Sequence, residues 1–219
     1  MDPKQTVQVA GRVRTAAGAL AVMAWAGLAL SLGQSVTTSL HETLRGMFVF
    51  SGYFTIWTNI AVALALSVPL LAPTSRPGRF VRRPGVVTGI AASIALVAIA
   101  YEVLLRQTWD PLGVALVADL LVHYLVPVGF IGYWWLVTPK TTLGWRAPVV
   151  WLWYPAAYAA VALVRGAATG HYPYPFLDAA TLGYGQVLVN IAGLGIGFLV
   201  LSWLLVGIGR LERHLRSAA

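Results

Sequence analysis

The chain contains no cysteine, and only 10% of its 219 residues are charged. The first absence excludes disulfides, thiol nucleophiles and thiolate metal sites. The second excludes an ordinary water-soluble domain, because such domains carry roughly 25% charged residues. With 58% hydrophobic residues, the chain cannot cover a surface that faces water. We therefore expect an integral membrane protein, and the length suits a single transmembrane domain over residues 1–219.

Six apolar stretches are long enough to cross a bilayer, which takes about 20 residues in a helix. They are 16–32, 47–71, 86–105, 112–137, 148–164 and 184–208. The predicted fold is all-α: a polytopic membrane protein built as a bundle of six transmembrane helices.

The basic residues predict the orientation of these segments. Twelve of the 15 lysines and arginines fall at the two ends of the chain and in the second and fourth loops. By the positive-inside rule, both termini are expected in the cytoplasm. The same rule accounts for the net charge of +8, so we expect a bilayer partner and no nucleic acid. The expected location is the plasma or inner membrane.

Segment four carries an acid and an imidazole four residues apart, Asp119 and His123. That spacing places both on one face of a helix, and ionisable groups at membrane depth are costly unless they are paired or functional. Segment two carries Thr55, Thr58 and Asn59. Counted from the outer ends of their segments, Thr55 lies about 12 Å deep and His123 about 16 Å deep. The five side chains are thus expected in one layer, and a polar pocket opens outwards if segments two and four face each other.

These residue types fit nucleophilic catalysis, although Thr and Asn in membrane helices often act only as interhelical hydrogen-bond partners. A Thr55 hydroxyl needs a neighbouring base to become a nucleophile, and neutral His123 can serve as that base. Asp119 would then hold the other ring nitrogen of His123. Asn59 is a candidate donor to a developing oxyanion, and Thr58 is a further supporting candidate.

The loop before segment six is stiffened by two prolines that alternate with aromatic residues. It is interpreted either as an interfacial anchor or as a lid that contacts an apolar substrate through Tyr172, Tyr174 and Phe176. Asn190 lies six residues into segment six and is a candidate second donor in the polar layer.

We expect neither a metal nor an organic cofactor. The four histidines, His41, His123, His171 and His214, show no metal-ligand spacing with one another. No Gly-rich phosphate loop follows a predicted strand.

Three short motifs and one asparagine follow one another along the chain. They are Tyr-Phe-Thr-Ile-Trp-Thr-Asn over 53–59, Asp-Leu-Leu-Val-His-Tyr-Leu-Val-Pro over 119–127, Tyr-Pro-Tyr-Pro-Phe-Leu-Asp over 172–178, and Asn190. In order, spacing and topology they resemble the androgen-induced gene 1 and androgen-dependent TFPI-regulating protein family, through its prokaryotic six-helix branch.

The resemblance implies a function. Animal members of the family are similar to threonine hydrolases that cleave fatty acid esters of hydroxy fatty acids. Carried over by motif, their catalytic Thr matches Thr55 and their catalytic His matches His123, and the implied partner is a lipid or fatty-ester substrate. Asp119 departs from the animal pattern, which has Asn there, so its orienting role is inferred from the spacing alone.

The alternative is a non-enzymatic six-helix membrane protein, such as a proton-coupled lipid or solute carrier. Asp119 and His123 would then form a proton-coupling pair. A carrier needs access from both sides of the membrane, whereas the predicted polar layer lies in the outer half only. This asymmetry favours the hydrolase.

Overall fold

A computed structural model describes residues 3–37 and 39–217 of the chain. The helices are α1 Pro3–Gly33, α2 Leu40–Phe50, α3 Phe54–Leu71, α4 Arg76–Val81, α5 Pro84–Ala100, α6 Val114–Leu120, α7 Val126–Val137, α8 Ala147–Trp151, α9 Trp153–Thr169 and α10 Ala179–Ser217. Two π-helical turns, Tyr101–Leu105 and Leu121–Leu125, follow α5 and α6. No strand occurs within these described ranges.

Within the described residues, six stretches are long and apolar enough to cross a membrane. They are Gly11–Gly33, Phe54–Leu71, Pro84–Thr108, Val114–Val137, Ala147–Thr169 and Ala179–Leu211. The prediction of an all-α, multi-pass membrane protein is therefore confirmed. The cytoplasmic placement of the termini and the single domain stay predictions.

The second membrane-spanning helix begins later than the sequence predicts. The apolar stretch 47–71 is divided by a turn at residues 51–53, so its first four residues belong to α2. The turn is held from α9, where the Tyr158 hydroxyl donates to the Gly52 carbonyl at 2.8 Å and Arg165 Nη1 donates to Ser51 Oγ at 3.2 Å. Thr55 is thus the second residue of α3, and the depth counted for it from residue 47 is wrong.

The chain divides into two compact units, and the first comprises Met1–Ser31 and Thr58–Pro139. Inside it, the buried Trp134 indole donates to Thr88 Oγ1 at 2.8 Å and ties α7 to α5. Gly27 lets α1 approach the helix that carries the second π turn, since an added Cβ would lie 3.0 Å from Leu121 and Val122. This packing fixes the helices on which Asp119 and His123 lie.

The second unit comprises Leu32–Trp57 and Lys140–Ala219. Asp178 caps the start of α10, because its Oδ1 accepts the backbone N–H groups of Ala180 and Thr181 at 3.0 and 3.2 Å. A further hydrogen bond from the Thr181 hydroxyl, at 2.8 Å, helps to keep the pKa of the Asp178 carboxyl below its usual value. The segment before α10 is therefore held in a defined position.

Candidate active site

Asp119 and His123 form the hydrogen-bonded pair that their spacing predicts. His123 Nδ1 lies 2.9 Å from Asp119 Oδ1. An ionised carboxylate only accepts hydrogen bonds, so Nδ1 carries the proton and Nε2 of a neutral ring presents its lone pair. Among residues 3–37 and 39–217, no hydrogen bond is made to Nε2. The geometry leaves His123 able to accept a proton at Nε2.

Asp119 accepts two further hydrogen bonds inside the first unit. The Tyr101 hydroxyl donates to Oδ2 at 2.8 Å, and the Trp109 indole donates to Oδ1 at 3.2 Å. A buried carboxylate in a membrane helix is costly unless its oxygens are satisfied. Three donors meet that requirement and hold the carboxylate in a single orientation towards His123.

Tyr101 also fixes the imidazole directly. Its ring stacks on the His123 ring with centroids 3.8 Å apart and an angle of 8° between the planes. The imidazole is therefore held by a hydrogen bond at one edge and by an aromatic face. Tyr101 and Trp109 were not predictable as site residues, because nothing local in the sequence distinguishes them from the many other aromatic residues.

Both π-helical turns coincide with this site, since Tyr101 begins the first and His123 lies in the second. In the second turn, the Val126 N–H donates to the Leu121 carbonyl, five residues earlier. Single π turns inside α-helices occur frequently at functional sites. The π turns on both helices therefore indicate a functional site here, independently of the side-chain hydrogen bonds of Asp119 and His123.

Asn59 supports the second π turn. Its side-chain amide donates to the Val122 carbonyl at 3.1 Å, and the residue is 0% exposed. This bond clamps α3 to the backbone next to His123. This is the interhelical hydrogen-bonding role that the sequence offered as the alternative to a catalytic one. Thr58, the neighbouring candidate, is also fully buried in the first unit.

Replacing Asn59 with Ala is expected to destabilise the protein by about 0.6–2 kcal/mol, the usual range for an interhelical hydrogen bond in a membrane protein. The loss should appear as a lower melting temperature in detergent. Gln8→Ala, which removes an exposed amide before the first spanning stretch, serves as the control for a lost amide. A melting temperature equal to that of the wild type would contradict the clamp.

Thr55 belongs to the second unit, where its partner is Tyr174. The Thr55 backbone N–H donates to the Tyr174 hydroxyl oxygen at 3.3 Å, and Thr55 Oγ1 lies 3.4 Å from the same oxygen. Both residues are buried. The candidate nucleophile is thus in contact with a phenol that lies 119 positions away in the sequence.

The segment 172–178 places Tyr174. Its ring stacks on Phe176 at 5.0 Å and 8°, and the edge of Tyr53 packs against it at 5.5 Å. The Asn190 amide donates to the Phe176 carbonyl at 2.9 Å and anchors the segment to α10. Asn190 is therefore engaged by the loop backbone.

Tyr172, the third aromatic residue of the segment, packs on α9. Its ring occupies the space that a Cβ on Gly166 would need. The aromatic residues of the segment therefore make contacts within the unit, and whether they also contact a substrate stays a prediction.

Neither a metal site nor a known relative points to a function. Within the described residues, no three His, Asp or Glu side chains form a group that could hold a metal ion. Comparison with protein-family models, with curated proteins and with solved structures finds no match for the chain.

Proposed function

We propose that the protein is an intramembrane threonine hydrolase that cleaves lipid esters, with Thr55 as nucleophile and His123 as general base. The observation that carries the proposal is the Asp119–His123 hydrogen bond, because it fixes the tautomer in which Nε2 accepts a proton. The family resemblance supports the choice of Thr55 and of fatty acid esters of hydroxy fatty acids as the substrate class. The proposed location is the plasma or inner membrane.

In the proposed reaction, Thr55 Oγ1 attacks the ester carbonyl carbon while His123 Nε2 takes the hydroxyl proton. The tetrahedral intermediate expels the alcohol, which leaves with the proton returned by His123. Water then attacks the acyl-threonine, giving its proton to His123. Collapse of the second intermediate releases the fatty acid and restores the Thr55 hydroxyl.

Tyr174 is the proposed donor to the oxyanion. Its oxygen accepts from the Thr55 backbone N–H, so its own proton remains to be donated. The oxyanion forms on the carbon that Thr55 Oγ1 attacks, and Tyr174 is already in contact with Oγ1. Burial raises the pKa of the Tyr174 hydroxyl, which keeps it protonated and able to donate as pH rises.

The test of the function is turnover of a branched fatty acid ester by the purified protein in nanodiscs, with fatty acid release followed by mass spectrometry. A fluorophosphonate probe should label the peptide that contains Thr55, and His123→Ala should prevent labelling. A folded protein without turnover would refute the hydrolase. Proton-driven solute uptake that survives Thr55→Ala would favour the carrier.

Removing the Tyr174 hydroxyl is expected to lower kcat by about 10²-fold, the lower end of the loss for one oxyanion donor. Tyr174→Phe keeps the ring that stacks on Phe176 and therefore keeps the packing. The control is Tyr133→Phe, which removes a hydroxyl from α7, outside the candidate site, and should leave kcat unchanged. The sulfur of a thionoester accepts hydrogen bonds poorly, so Tyr174→Phe should lower kcat less for a thionoester than for the ester. Equal losses of kcat for the two substrates would exclude the donor role.

A further inference from the structure

Helix α2 carries an apolar stripe that the rest of the described chain leaves largely exposed. The stripe consists of Leu40, Leu44, Met47 and Phe48, which are 75%, 57%, 44% and 43% exposed. The spacing i, i+4, i+7 and i+8 places them on one face of the helix. No residue of α2 is buried, so this face needs an apolar environment outside the described chain.

The other faces of α2 are accounted for. One packs on the preceding turn: a Cβ added to Gly46 would lie 2.8 Å from Ser35, and the Thr37 N–H donates to Thr43 Oγ1 at 2.9 Å. Another presents the exposed charged or polar residues His41, Glu42 and Arg45. An apolar face beside a charged face is the pattern of a helix that lies in the plane of a membrane surface.

Short connections keep α2 at the membrane boundary. The spanning helices before and after it end at Gly33 and begin at Phe54, and the ends of consecutive spanning helices share one side of the membrane. The connection at residues 51–53 reaches at most about 10 Å. The headgroup layer on one side of a bilayer is about 5–8 Å thick, so the C-terminal end of α2 remains close to that layer.

Arg165 ties the same end of α2 to α9. Its guanidinium lies 3.5 Å from the centroid of the Phe48 ring and donates to the Phe48 carbonyl and to Ser51 Oγ. Arg165 is four residues from the end of the spanning stretch at Thr169. The contact therefore fixes α2 at the level where that spanning helix leaves the membrane.

We propose that α2 is an interfacial helix that binds the bilayer surface, with the apolar stripe among the acyl chains and the charged face towards the lipid headgroups. Burial of the stripe in lipid removes its apolar area from water, which is the main source of binding for such helices. The inference does not depend on the proposed hydrolase function.

The absence of native cysteine allows a direct test with single spin labels in phosphatidylcholine nanodiscs. Leu44→Cys and Met47→Cys place labels on the stripe, and the matched controls Glu42→Cys and Arg45→Cys place them on the charged face. At the stripe, collisions with oxygen, which concentrates in acyl chains, should exceed those with a water-soluble nickel complex several-fold. At the controls, the order should reverse.

Two results would overturn the proposal. If the nickel complex reaches the stripe positions as readily as the charged positions, α2 lies in water. If both reagents are excluded from the stripe, protein covers it, and the occupant is a second protein surface. All four positions are exposed, so these substitutions leave the packed parts of the chain intact.

Discussion

Thr55→Ala is expected to lower kcat/KM for a branched fatty ester by at least about 10³-fold, because it removes the oxygen that would carry the acyl group. Alanine is the best helix former, so the start of α3 should tolerate it. The measurement is fatty acid release per folded protein, with the folded fraction taken from a thermal melt. Loss of probe labelling at the same peptide should accompany the loss of turnover.

The conservative variant Thr55→Ser is the matched control. It keeps a hydroxyl at the position that contacts Tyr174 and should retain both turnover and labelling. If Thr55→Ala turns over ester like the wild type, Thr55 is excluded as the nucleophile. If Thr55→Ser and Thr55→Ala are equally inactive with lowered melting temperatures, the loss reflects packing of the buried side chain and contradicts the catalytic assignment.

A double variant tests whether Thr55 and His123 act in one reaction. Catalytic residues that act as a unit are strongly non-additive: removing both costs about as much as removing the more important one. Thr55→Ala combined with His123→Ala should therefore be no less active than the worse single variant. Multiplicative losses would indicate that the two residues contribute independently, and would refute the proposed transfer of the Thr55 proton to His123.

The spanning helices were predictable because each is a long apolar run in a chain with few charges. The boundary at residues 51–53 was not predictable, since Met47–Phe50 and the residues from Phe54 onwards are equally apolar. Ser51-Gly52 was the local sign of a break. The decisive contacts, from Tyr158 and Arg165, come from a helix about 100 positions away, which local sequence patterns do not reveal.

The candidate site also has contacts that were predictable from the sequence and contacts that were not. The Asp119–His123 hydrogen bond follows from helical spacing and was predictable. Tyr101, Trp109 and Tyr174 were not predictable as hydrogen-bond partners, because each reaches its partner through packing of separate segments. The π turns have no sequence signature, yet they accompany the two rings that stack at the site.

Asp119→Asn is expected to lower kcat by about 10³-fold while leaving KM unchanged, because it removes the charge that stabilises protonated His123. The Trp109 indole can only donate, so it keeps the amide oxygen of the variant towards itself and His123. The amide nitrogen then faces the Tyr101 hydroxyl, which can accept. The hydrogen-bond pattern and the fold are preserved, and a kinetic loss reports the missing charge.

Glu102→Gln is the matched control, since it removes a carboxylate charge next to Tyr101. Glu102 accepts a hydrogen bond from the Tyr124 hydroxyl at 2.6 Å, and the glutamine oxygen can accept the same bond, so turnover should be unchanged. Because orientation is preserved in Asp119→Asn, wild-type kcat in that variant would show that Asp119 acts only as a hydrogen-bond acceptor. An equal loss of kcat in Asp119→Asn and Glu102→Gln would point to a long-range charge effect. Either of these two results would contradict charge stabilisation of His123 by Asp119.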